Sequence, residues 1–400
     1  MKYDFDQIIE RKNTFSIKWD FTEPFVGVKD VLPLWVADMD FISAKPIVDA
    51  LVKRALHGVY GYSYHKIPQY LDSVINWMER RHQWTIKPEW ILYSPGIVPA
   101  INLAIRTFSN VGEKIIIQPP VYYPFMSGIQ KNGRIPVLNQ LKREGDKYFM
   151  DFEDLEKKVK DSLVKILVLC SPHNPVGRVW TREELLRLGD LCLDENILVI
   201  SDEIHQDLVL NGNKHLVFAS LSERFSENCI TCTAPSKTFN LAGLHMSNII
   251  ISNRRLRDSM HNTLVGQNGL MLANPFGIEA TIAAYNEGEE WLKQVLEYIE
   301  QNILYIEEFL KEHLPEVTLI KPEGTYLVWL DFTCFNLSNE VLKELMQKKA
   351  KVALDEGFIF GAGGDGYERI NVASPRSMIE DCMHRILKAV NSLKEAVNSN

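Results

Sequence analysis

The sequence lacks any long apolar run. None of its 400 residues belongs to a stretch that approaches the length of a transmembrane helix. Its first residues, Met-Lys-Tyr-Asp-Phe-Asp-Gln, lack the apolar core of a secretory signal, which predicts a cytoplasmic protein. The chain also lacks an excess of positive charge, because 44 lysines and arginines face 52 aspartates and glutamates, a net charge of −8. This balance argues against nucleic acid or an anionic membrane as the main partner.

Cysteine is scarce, and the two motifs that suggest metal or dinucleotide chemistry are weak. Cys229 and Cys232 have C-x-x-C spacing, but their segment has the character of a buried strand, and no second pair completes a zinc site. Gly361, Gly363 and Gly366 match G-x-G-x-x-G, yet a strand follows them where the dinucleotide motif needs a helix. No metal site is therefore predicted.

Short apolar runs alternate with helical patterns through the middle of the chain. Several runs are nearly continuous in Val, Ile and Leu, as is typical of strands covered by helices on both faces. The alternation predicts a mainly parallel α/β sheet. The predicted strands span residues 90–93, 114–118, 165–170, 197–201, 229–233 and 247–252, with helices at 99–108 and 181–194 among those between them.

A chain of this length predicts more than one domain, because large cores split. An amphipathic helix at 287–313, with Trp291, Ile299 and Ile306 on one face, leads from a large domain, 46–286, to a smaller domain, 287–400. Residues 1–45 are too irregular to form a domain and are predicted to pack on the smaller one. That domain has predicted strands at 326–332 and 368–373 and helices at 338–349 and 378–396.

Two loops after predicted strands carry residues suited to bind a ligand. In open α/β sheets, ligands bind beyond the carboxyl ends of the strands. The loop at 94–99 leads into a helix whose start, at Ile97 and Val98, presents free N–H groups suited to a phosphate. Any strand-to-helix turn shares that pattern. Asn174 lies between two prolines and suits a fixed hydrogen bond to a ligand, although a plain turn explains it equally well.

Two further loops carry charged residues. Asp202 follows a strand, where a carboxylate can pair with a protonated pyridine nitrogen and keep the ring able to accept electrons. The alternative is a helix N-cap. Lys237 lies at another strand end, within an otherwise uncharged stretch. Desolvation and a nearby cationic ring lower a lysine pKa and free its amine as a nucleophile, whereas most lysines are solvated surface groups.

Aromatic and cationic residues complete the candidate site. Tyr122 and Tyr123 follow the strand at 114–118, where an aromatic ring suits stacking on a flat cofactor. Arg369 begins a strand of the smaller domain, and an arginine can bind a carboxylate through two hydrogen bonds. For the arginine alone, a structural salt bridge is the alternative.

Together these loops resemble the fold type I enzymes of the aminotransferase class I/II superfamily, which depend on pyridoxal 5′-phosphate (PLP). The motif of Asn174 with Gly177, then Asp202, then Lys237, then Arg369 occurs in the family's order, and the resemblance covers nearly the whole chain. It implies PLP as the cofactor. It also implies an α/β fold, in which a large domain with a mainly parallel seven-stranded sheet is joined to a smaller α/β domain.

A finer resemblance is to the cystathionine β-lyase-like carbon–sulfur lyases, the MalY/PatB group. The stretches similar to that group span residues 34–41, 58–63, 171–180, 202–205 and 234–240. The resemblance implies α,β-elimination from cystathionine or a related sulfur amino acid, which gives a thiol, pyruvate and ammonia. An aminotransferase is the alternative, because both reactions begin with removal of the α-proton. A second alternative is a regulatory protein that acts through protein contacts.

The resemblance also implies roles for individual residues. Lys237 would bind the cofactor covalently and move the α-proton, and Lys237 or Tyr123 would protonate the departing thiolate. Tyr122 would stack on the cofactor ring, Asn174 would bond its phenolic oxygen, and Asp202 its nitrogen. The α-carboxylate of the substrate would lie against Arg369, Asn174 and the backbone around Ala37.

Two positions depart from the wider aminotransferase pattern. His205, a cofactor-binding candidate, stands where a tyrosine often bonds the phenolic oxygen, and His245 stands where an arginine often binds the phosphate. The phosphate would then depend on the helix start, on Ser236 and on Tyr62, which predicts weaker PLP binding than in typical aminotransferases. Tyr62 would reach the phosphate of the neighbouring subunit, which implies a homodimer.

Overall fold

The central sheet has seven strands in a computed structural model that describes residues 1–398. The strand Ser247–Ile250 runs opposite to the other six strands, so the predicted mainly parallel sheet is confirmed. Across the sheet the strands lie in the order Ile91–Ser94, Ser247–Ile250, Cys229–Thr233, Leu198–Asp202, Val164–Cys170, Lys114–Ile117 and Ile135–Leu138.

Six of these strands lie within two residues of their predicted positions. Leu198–Asp202 and Cys229–Thr233 are buried along their whole length, which explains why their sequences do not alternate between apolar and polar residues. The seventh strand, Ile135–Leu138, was not predicted. It forms one edge of the sheet, is partly exposed, and contains Pro136, which has no N–H to donate and is tolerated only at an edge.

Helices cover the sheet and connect its strands. One of these helices begins with a signal that the sequence shows: Thr181 caps the helix Arg182–Asp194 in a capping box with Glu184. The α-helices are Ile17–Asp20, Thr22–Val26, Lys45–Leu56, Pro68–His82, Ile97–Phe108, Pro124–Lys131, Phe152–Lys158, Arg182–Asp194, Glu223–Glu227, Pro235–Thr238, Arg254–His261, Pro275–Glu287, Glu289–His313, Asn339–Glu344 and Arg376–Asn398. Two π-helical turns, Asn262–Gln267 and Leu345–Ala350, extend the helices before them.

A second, antiparallel sheet lies in the C-terminal part of the chain. Its strands, in spatial order, are Thr318–Ile320, Leu327–Asp331, Tyr367–Asn371 and Asp355–Glu356. A parallel pair, Leu32–Pro33 with Val352–Ala353, joins the N-terminal segment to this region, and a hairpin links Lys142–Glu144 to Lys147–Phe149. The domain limits given above stay a prediction, and residues 399 and 400 of the smaller domain lie outside the described residues.

The long helix begins two residues later than predicted. It starts at Glu289, because the helix Pro275–Glu287 precedes it and Gly288 separates the two. A Cβ atom at Gly288 would lie 2.4 Å from the ring of Phe239 and 2.5 Å from the carbonyl oxygen of Ala284. Because only glycine fits so close to these atoms, packing interrupts the helix here. The apolar pattern of the sequence nevertheless continues across the interruption, which is why it was not predicted.

A buried group of charges holds the N-terminal segment in place. We call Arg11, Lys18, Asp38 and Asp40 the N-terminal ion cluster. Nζ of Lys18 lies 2.6 Å from one carboxylate oxygen of Asp40, and the guanidinium of Arg11 lies 2.6 Å from the other and 2.7 Å from Asp38. Asp40 also accepts a hydrogen bond from Ser374 at 2.7 Å. The cluster fixes the stretch around Ala37 against the C-terminal part of the chain.

The described residues show neither a membrane span nor a metal cluster. No helix within residues 1–398 is both long and apolar enough to cross a membrane. The same residues contain no group of His, Cys, Asp or Glu that could hold a metal ion. Cys229 and Cys232 are free thiols buried in a central strand. A cytoplasmic location stays a prediction.

Candidate active site

A cavity of about 440 Å³ lies at the carboxyl ends of the central strands. Tyr62 is the one predicted site residue that does not line it, and its side chain is 96% exposed. The predicted residues that do line the cavity are Ala37, Ile97, Val98, Tyr122, Tyr123, Asn174, Asp202, His205, Ser236, Lys237 and Arg369. The fold therefore brings together residues from the N-terminal segment, the central sheet and the C-terminal sheet.

Lys237 lies in the short helix Pro235–Thr238, directly after a central strand. Its Nζ donates a hydrogen bond to the carbonyl oxygen of Ala37 at 2.6 Å. The pKa of Lys237 is lowered from its ordinary 10.5 to about 8, mainly by burial and also by Arg369, while Asp38 and Asp202 oppose the shift. A lysine with this pKa is neutral about one-tenth of the time at pH 7, far more than an ordinary lysine, so its amine can act as nucleophile or base.

Asp202 is the last residue of its strand and is buried. Burial raises its pKa to about 7, Glu203 adds to the shift, and the amide of Ile204 and the charge of Lys237 oppose it. One carboxylate oxygen accepts a hydrogen bond from the amide of Ile204 at 3.1 Å, while no residue from 1 to 398 donates a hydrogen bond to the other oxygen. No helix begins at this point, so the aspartate is not an N-cap. A ligand cation would hold this carboxyl in its ionised form.

Arg369 and Asn174 are bonded to each other. Nη1 of Arg369 donates to Oδ1 of Asn174 at 3.0 Å, and Nη2 donates to the carbonyl oxygen of Trp35 at 2.9 Å and to Asp355. The guanidinium also lies 5.0 Å from the centre of the Phe360 ring. Within the part of the chain that is described, Nδ2 of Asn174 and Nε of Arg369 have no hydrogen-bond partner. Nδ2 of Asn174 remains able to donate to a ligand, whereas Nε of Arg369 is buried.

Asp355 lines the cavity, although sequence reasoning did not identify it. It lies opposite Arg369 in the antiparallel pairing of two short strands. Burial raises its pKa to about 6, Glu356 adds to the shift, and Arg369 opposes it. The sequence offers one signal for Asp355, which is that an aspartate directly follows the apolar run Val-Ala-Leu. That signal does not reveal the strand pairing that sets Asp355 beside Arg369.

Tyr326 is a second residue that the sequence did not reveal. Its hydroxyl donates to the carbonyl oxygen of Ala37 at 2.9 Å, so this oxygen accepts from both Tyr326 and Lys237. The ring of His205 packs edge-on against Tyr326 at 6.0 Å. Burial, together with Lys237 and Arg369, lowers the pKa of His205 well below its ordinary value, so His205 is a neutral imidazole.

One end of the cavity is built from a helix start. The helix Ile97–Phe108 begins after Gly96 with no side-chain cap, so its first N–H groups are free, and Ser236 lies in the same cavity wall. His245 is exposed at this end, with Nδ1 3.2 Å from the carbonyl oxygen of Pro95. Among the described residues, Lys237 and Arg369 are the only lysine or arginine in the cavity wall.

These features fit pyridoxal phosphate. The helix start and Ser236 suit its phosphate, the unpartnered oxygen of Asp202 suits its ring nitrogen, and Nδ2 of Asn174 suits its phenolic oxygen. Lys237, with its lowered pKa, suits its aldehyde. The fold and the cavity thus define the fold type I class that was predicted.

A family model described as aminotransferase class I and II matches residues 29–386. This protein belongs to that family. It is 45% identical, over 97% of its length and the whole length of the relative, to cystathionine beta-lyase PatB of Bacillus subtilis (strain 168). The predicted resemblance to the MalY/PatB group is therefore confirmed.

Two solved structures are similar along nearly the whole chain. One is a PLP-bound crystal structure from Clostridium difficile 630, named provisionally as an aminotransferase. It is 46% identical, has a TM-score of 0.95, and covers 97% of this chain and 100% of its own. The other is cystalysin from Treponema denticola, which contains a pyridoxal 5′-phosphate cofactor. It is 40% identical, has a TM-score of 0.95, and covers 98% of this chain and 100% of its own.

Proposed function

We propose that this protein is a PLP-dependent carbon–sulfur β-lyase that acts on cystathionine or a related sulfur amino acid. The observation that carries the proposal is the placement of Lys237, with its lowered pKa, in one cavity with Asp202 and Arg369. Similarity to PatB along the whole chain favours elimination over other reactions of the family. The cofactor is assigned because the cavity fits it and because cystalysin contains it.

PLP, when bound, supplies an electron-accepting ring that stabilises negative charge at the α-carbon of an amino acid. Asp202 holds a proton on the ring nitrogen, because a buried carboxylate without a counter-charge favours a cationic partner. Arg369 binds the α-carboxylate through its guanidinium charge and an N–H of Nη1, with Asn174 holding the guanidinium in place. Lys237 takes the α-proton, since its amine is neutral for part of the time near pH 7.

Elimination then breaks the bond between the β-carbon and sulfur. The thiolate leaves and takes a proton from Lys237 or from Tyr123, which lies half-exposed in the cavity wall. The remaining three-carbon fragment reacts with water to give pyruvate and ammonia. For cystathionine, one water is consumed, and one thiol, one pyruvate and one ammonia are formed.

An aminotransferase is the second candidate, favoured by the family and by the name of the Clostridium difficile structure. The test is a paired product assay on the purified holoenzyme. L-Cystathionine alone is expected to give pyruvate and free thiol at equal rates. Amino donors with a keto acid are expected to give little transfer. Amino transfer without formation of pyruvate from cystathionine would overturn the lyase proposal. Absence of product in both assays would leave the regulatory role.

We also propose that the protein is a homodimer in which Tyr62 contributes to the neighbouring cavity. The support is the exposure of a run of large apolar side chains on and next to one helix: Val52, Leu56, Val59, Tyr60, Tyr62 and Tyr64. A bridge between Ser63 and Ala273 places the exposed Met271 near this run. Contiguous exposed apolar surface of this kind is typical of an interface between subunits.

A complementation experiment tests the contribution of Tyr62. Tyr62→Ala and Lys237→Ala are each expected to form dimers of low activity. Mixed and re-equilibrated dimers are expected to regain activity, because a subunit pair with one change in each chain contains one cavity with both residues intact. Mixed dimers that stay as inactive as either variant alone, or a monomer in light scattering, would contradict the shared site. Tyr3→Ala, on another part of the chain, serves as the control.

A further inference from the structure

Asp355 is a cavity carboxylate that the proposed mechanism does not use. Its side chain is buried, and one of its oxygens accepts a hydrogen bond from Nη2 of Arg369. No donor within residues 1–398 bonds the other oxygen. The strand pairing places Asp355 directly opposite Arg369, so the contact is built into the antiparallel sheet.

Arg369 has to serve two anions when a substrate binds. Its Nη groups already donate to Asn174, Trp35 and Asp355, which leaves one N–H of Nη1 and the buried Nε without a partner among the described residues. An α-carboxylate bound by this guanidinium therefore shares one positive charge with Asp355. A buried carboxylate that loses part of its counter-charge is costly unless another cation approaches it.

The field of Asp355 extends to the proposed leaving-group side of the cavity. The pKa of Tyr123 is raised mainly by burial and further by Asp355, and the same carboxylate also raises the pKa of Tyr122. Within the described part of the chain, the cavity wall contains no lysine or arginine besides Lys237 and Arg369. A third positive charge near Asp355 therefore has to come from the ligand.

We infer that Asp355 is a specificity-determining residue that favours sulfur amino acids whose leaving thiol carries an ammonium group. The ammonium pairs with the carboxylate oxygen that has no donor in the protein. A neutral leaving group leaves Asp355 undercompensated, and an anionic leaving group adds repulsion. This inference rests on the proposed lyase function, and it concerns the choice among substrates of that reaction.

The test compares two substrates of nearly equal shape, S-(2-aminoethyl)-L-cysteine and S-propyl-L-cysteine, on the holoenzyme. Asp355→Asn is expected to lower the ratio of kcat/KM for the cationic over the neutral substrate by roughly tenfold, as for loss of one charge-assisted hydrogen bond. The difference in leaving ability between the two thiols cancels, because it is the same in both enzymes. Activity on anionic S-(carboxymethyl)-L-cysteine is expected to rise.

Glu356→Gln is the matched control. Glu356 is the next acid in the same strand, but it bonds Lys343 at 3.0 Å and Gln347 at 2.7 Å and does not line the cavity. The ratio of kcat/KM for the cationic over the neutral substrate is expected to change far less in this variant than in Asp355→Asn, because Glu356 acts on Asp355 only through its charge. Asp355→Glu is expected to keep the preference for the cationic substrate, because the charge remains.

Binding of non-eliminating amino acids separates this inference from the lyase proposal. Calorimetry is expected to show that Asp355→Asn weakens L-lysine relative to L-norleucine. If Asp355→Asn affects cationic and neutral ligands equally in kinetics and calorimetry, the role is structural and the inference is overturned. If no substrate yields pyruvate while the lysine preference depends on Asp355, the lyase proposal fails and the charge selectivity of the cavity stands.

Discussion

The cavity has two halves that are built in different ways. The strand-end half consists of Asn174, Asp202, Ser236 and Lys237, each within four residues of the end of a central strand. The packed half consists of residues 35–37, Asp355 and Arg369, which meet only because distant segments touch. The hydrogen bond from Arg369 to Trp35 joins residues 334 positions apart in the chain.

This contrast teaches which parts of the site depend on which interactions. The strand-end half is fixed by the central strands that precede its residues, and the carboxyl ends of these strands are buried. The packed half depends on the N-terminal ion cluster and on Asn371, whose side chain donates to the carbonyl oxygens of Val36 and Asp38 at 2.7 and 2.6 Å. The halves meet at two hydrogen bonds, one from Lys237 to the carbonyl oxygen of Ala37 and one from Arg369 to Asn174. We therefore expect cofactor chemistry and substrate binding to be separable by mutation.

The largest effect is expected in the strand-end half. Lys237→Ala should reduce pyruvate formation by about 10³-fold or more, because the amine that moves the α-proton is lost. The fold should remain, since the residue ends in a cavity and makes one hydrogen bond. A steady-state assay measures pyruvate formation, and circular dichroism measures whether the fold is retained. The exposed Lys214→Ala should keep full activity, and turnover by Lys237→Ala within tenfold of the unchanged enzyme would contradict the assignment.

The packed half is expected to lose stability first. Lys18→Met should lower the free energy of unfolding by about 3 to 5 kcal/mol, because it leaves Asp40 buried with part of its counter-charge removed. Substrate KM should rise as the stretch near Ala37 loosens, while the bound cofactor keeps its absorbance. Denaturant titration gives the free energy of unfolding. Lys45→Met, which breaks an exposed pair with Asp49, should cost less than about 1 kcal/mol.

Asp202 is expected to lower the stability of the cofactor-free protein at high pH. Burial raises its pKa to about 7 from 3.8, so the folded chain holds a proton that the unfolded chain loses, and stability falls as the pH rises between these values. Asp202→Asn removes this loss of stability, because asparagine does not ionise. It should stabilise the apoprotein by about 4 kcal/mol at pH 8 and by less than about 1 kcal/mol at pH 4. Equal effects at both pH values would show that the aspartate is not held neutral by the fold.

The smallest effect is expected from a substitution that keeps the charge in the packed half. Arg369→Lys should raise KM about tenfold with a smaller change in kcat, because a point charge cannot bond Asn174, Trp35 and a carboxylate together. The absorbance of the bound cofactor should not change. Arg385→Lys, on an exposed helix face, is the control. A loss of cofactor in Arg369→Lys would show that the two halves are not separable.

The strand-end half was accessible to sequence reasoning for a physical reason. Apolar runs mark buried strands, and the residues that follow a strand in a parallel sheet share one edge, so Asn174, Asp202 and Lys237 were expected together without knowledge of packing. The exceptions were positions where local pattern and packing disagree. Pro136 obscured the edge strand Ile135–Leu138, and Gly288 broke a helix whose apolar pattern runs on.

By itself, the sequence determined the family, the mainly parallel sheet and the candidate residues at its carboxyl edge, because periodicity and order along the chain encode these. Only the tertiary structure decided that Asp355 faces Arg369 and that Tyr326 and Lys237 share the oxygen of Ala37. Those contacts join segments far apart in the chain. Burial then sets the pKa values of Lys237 and Asp202, and burial is a property of the folded molecule rather than of any local stretch.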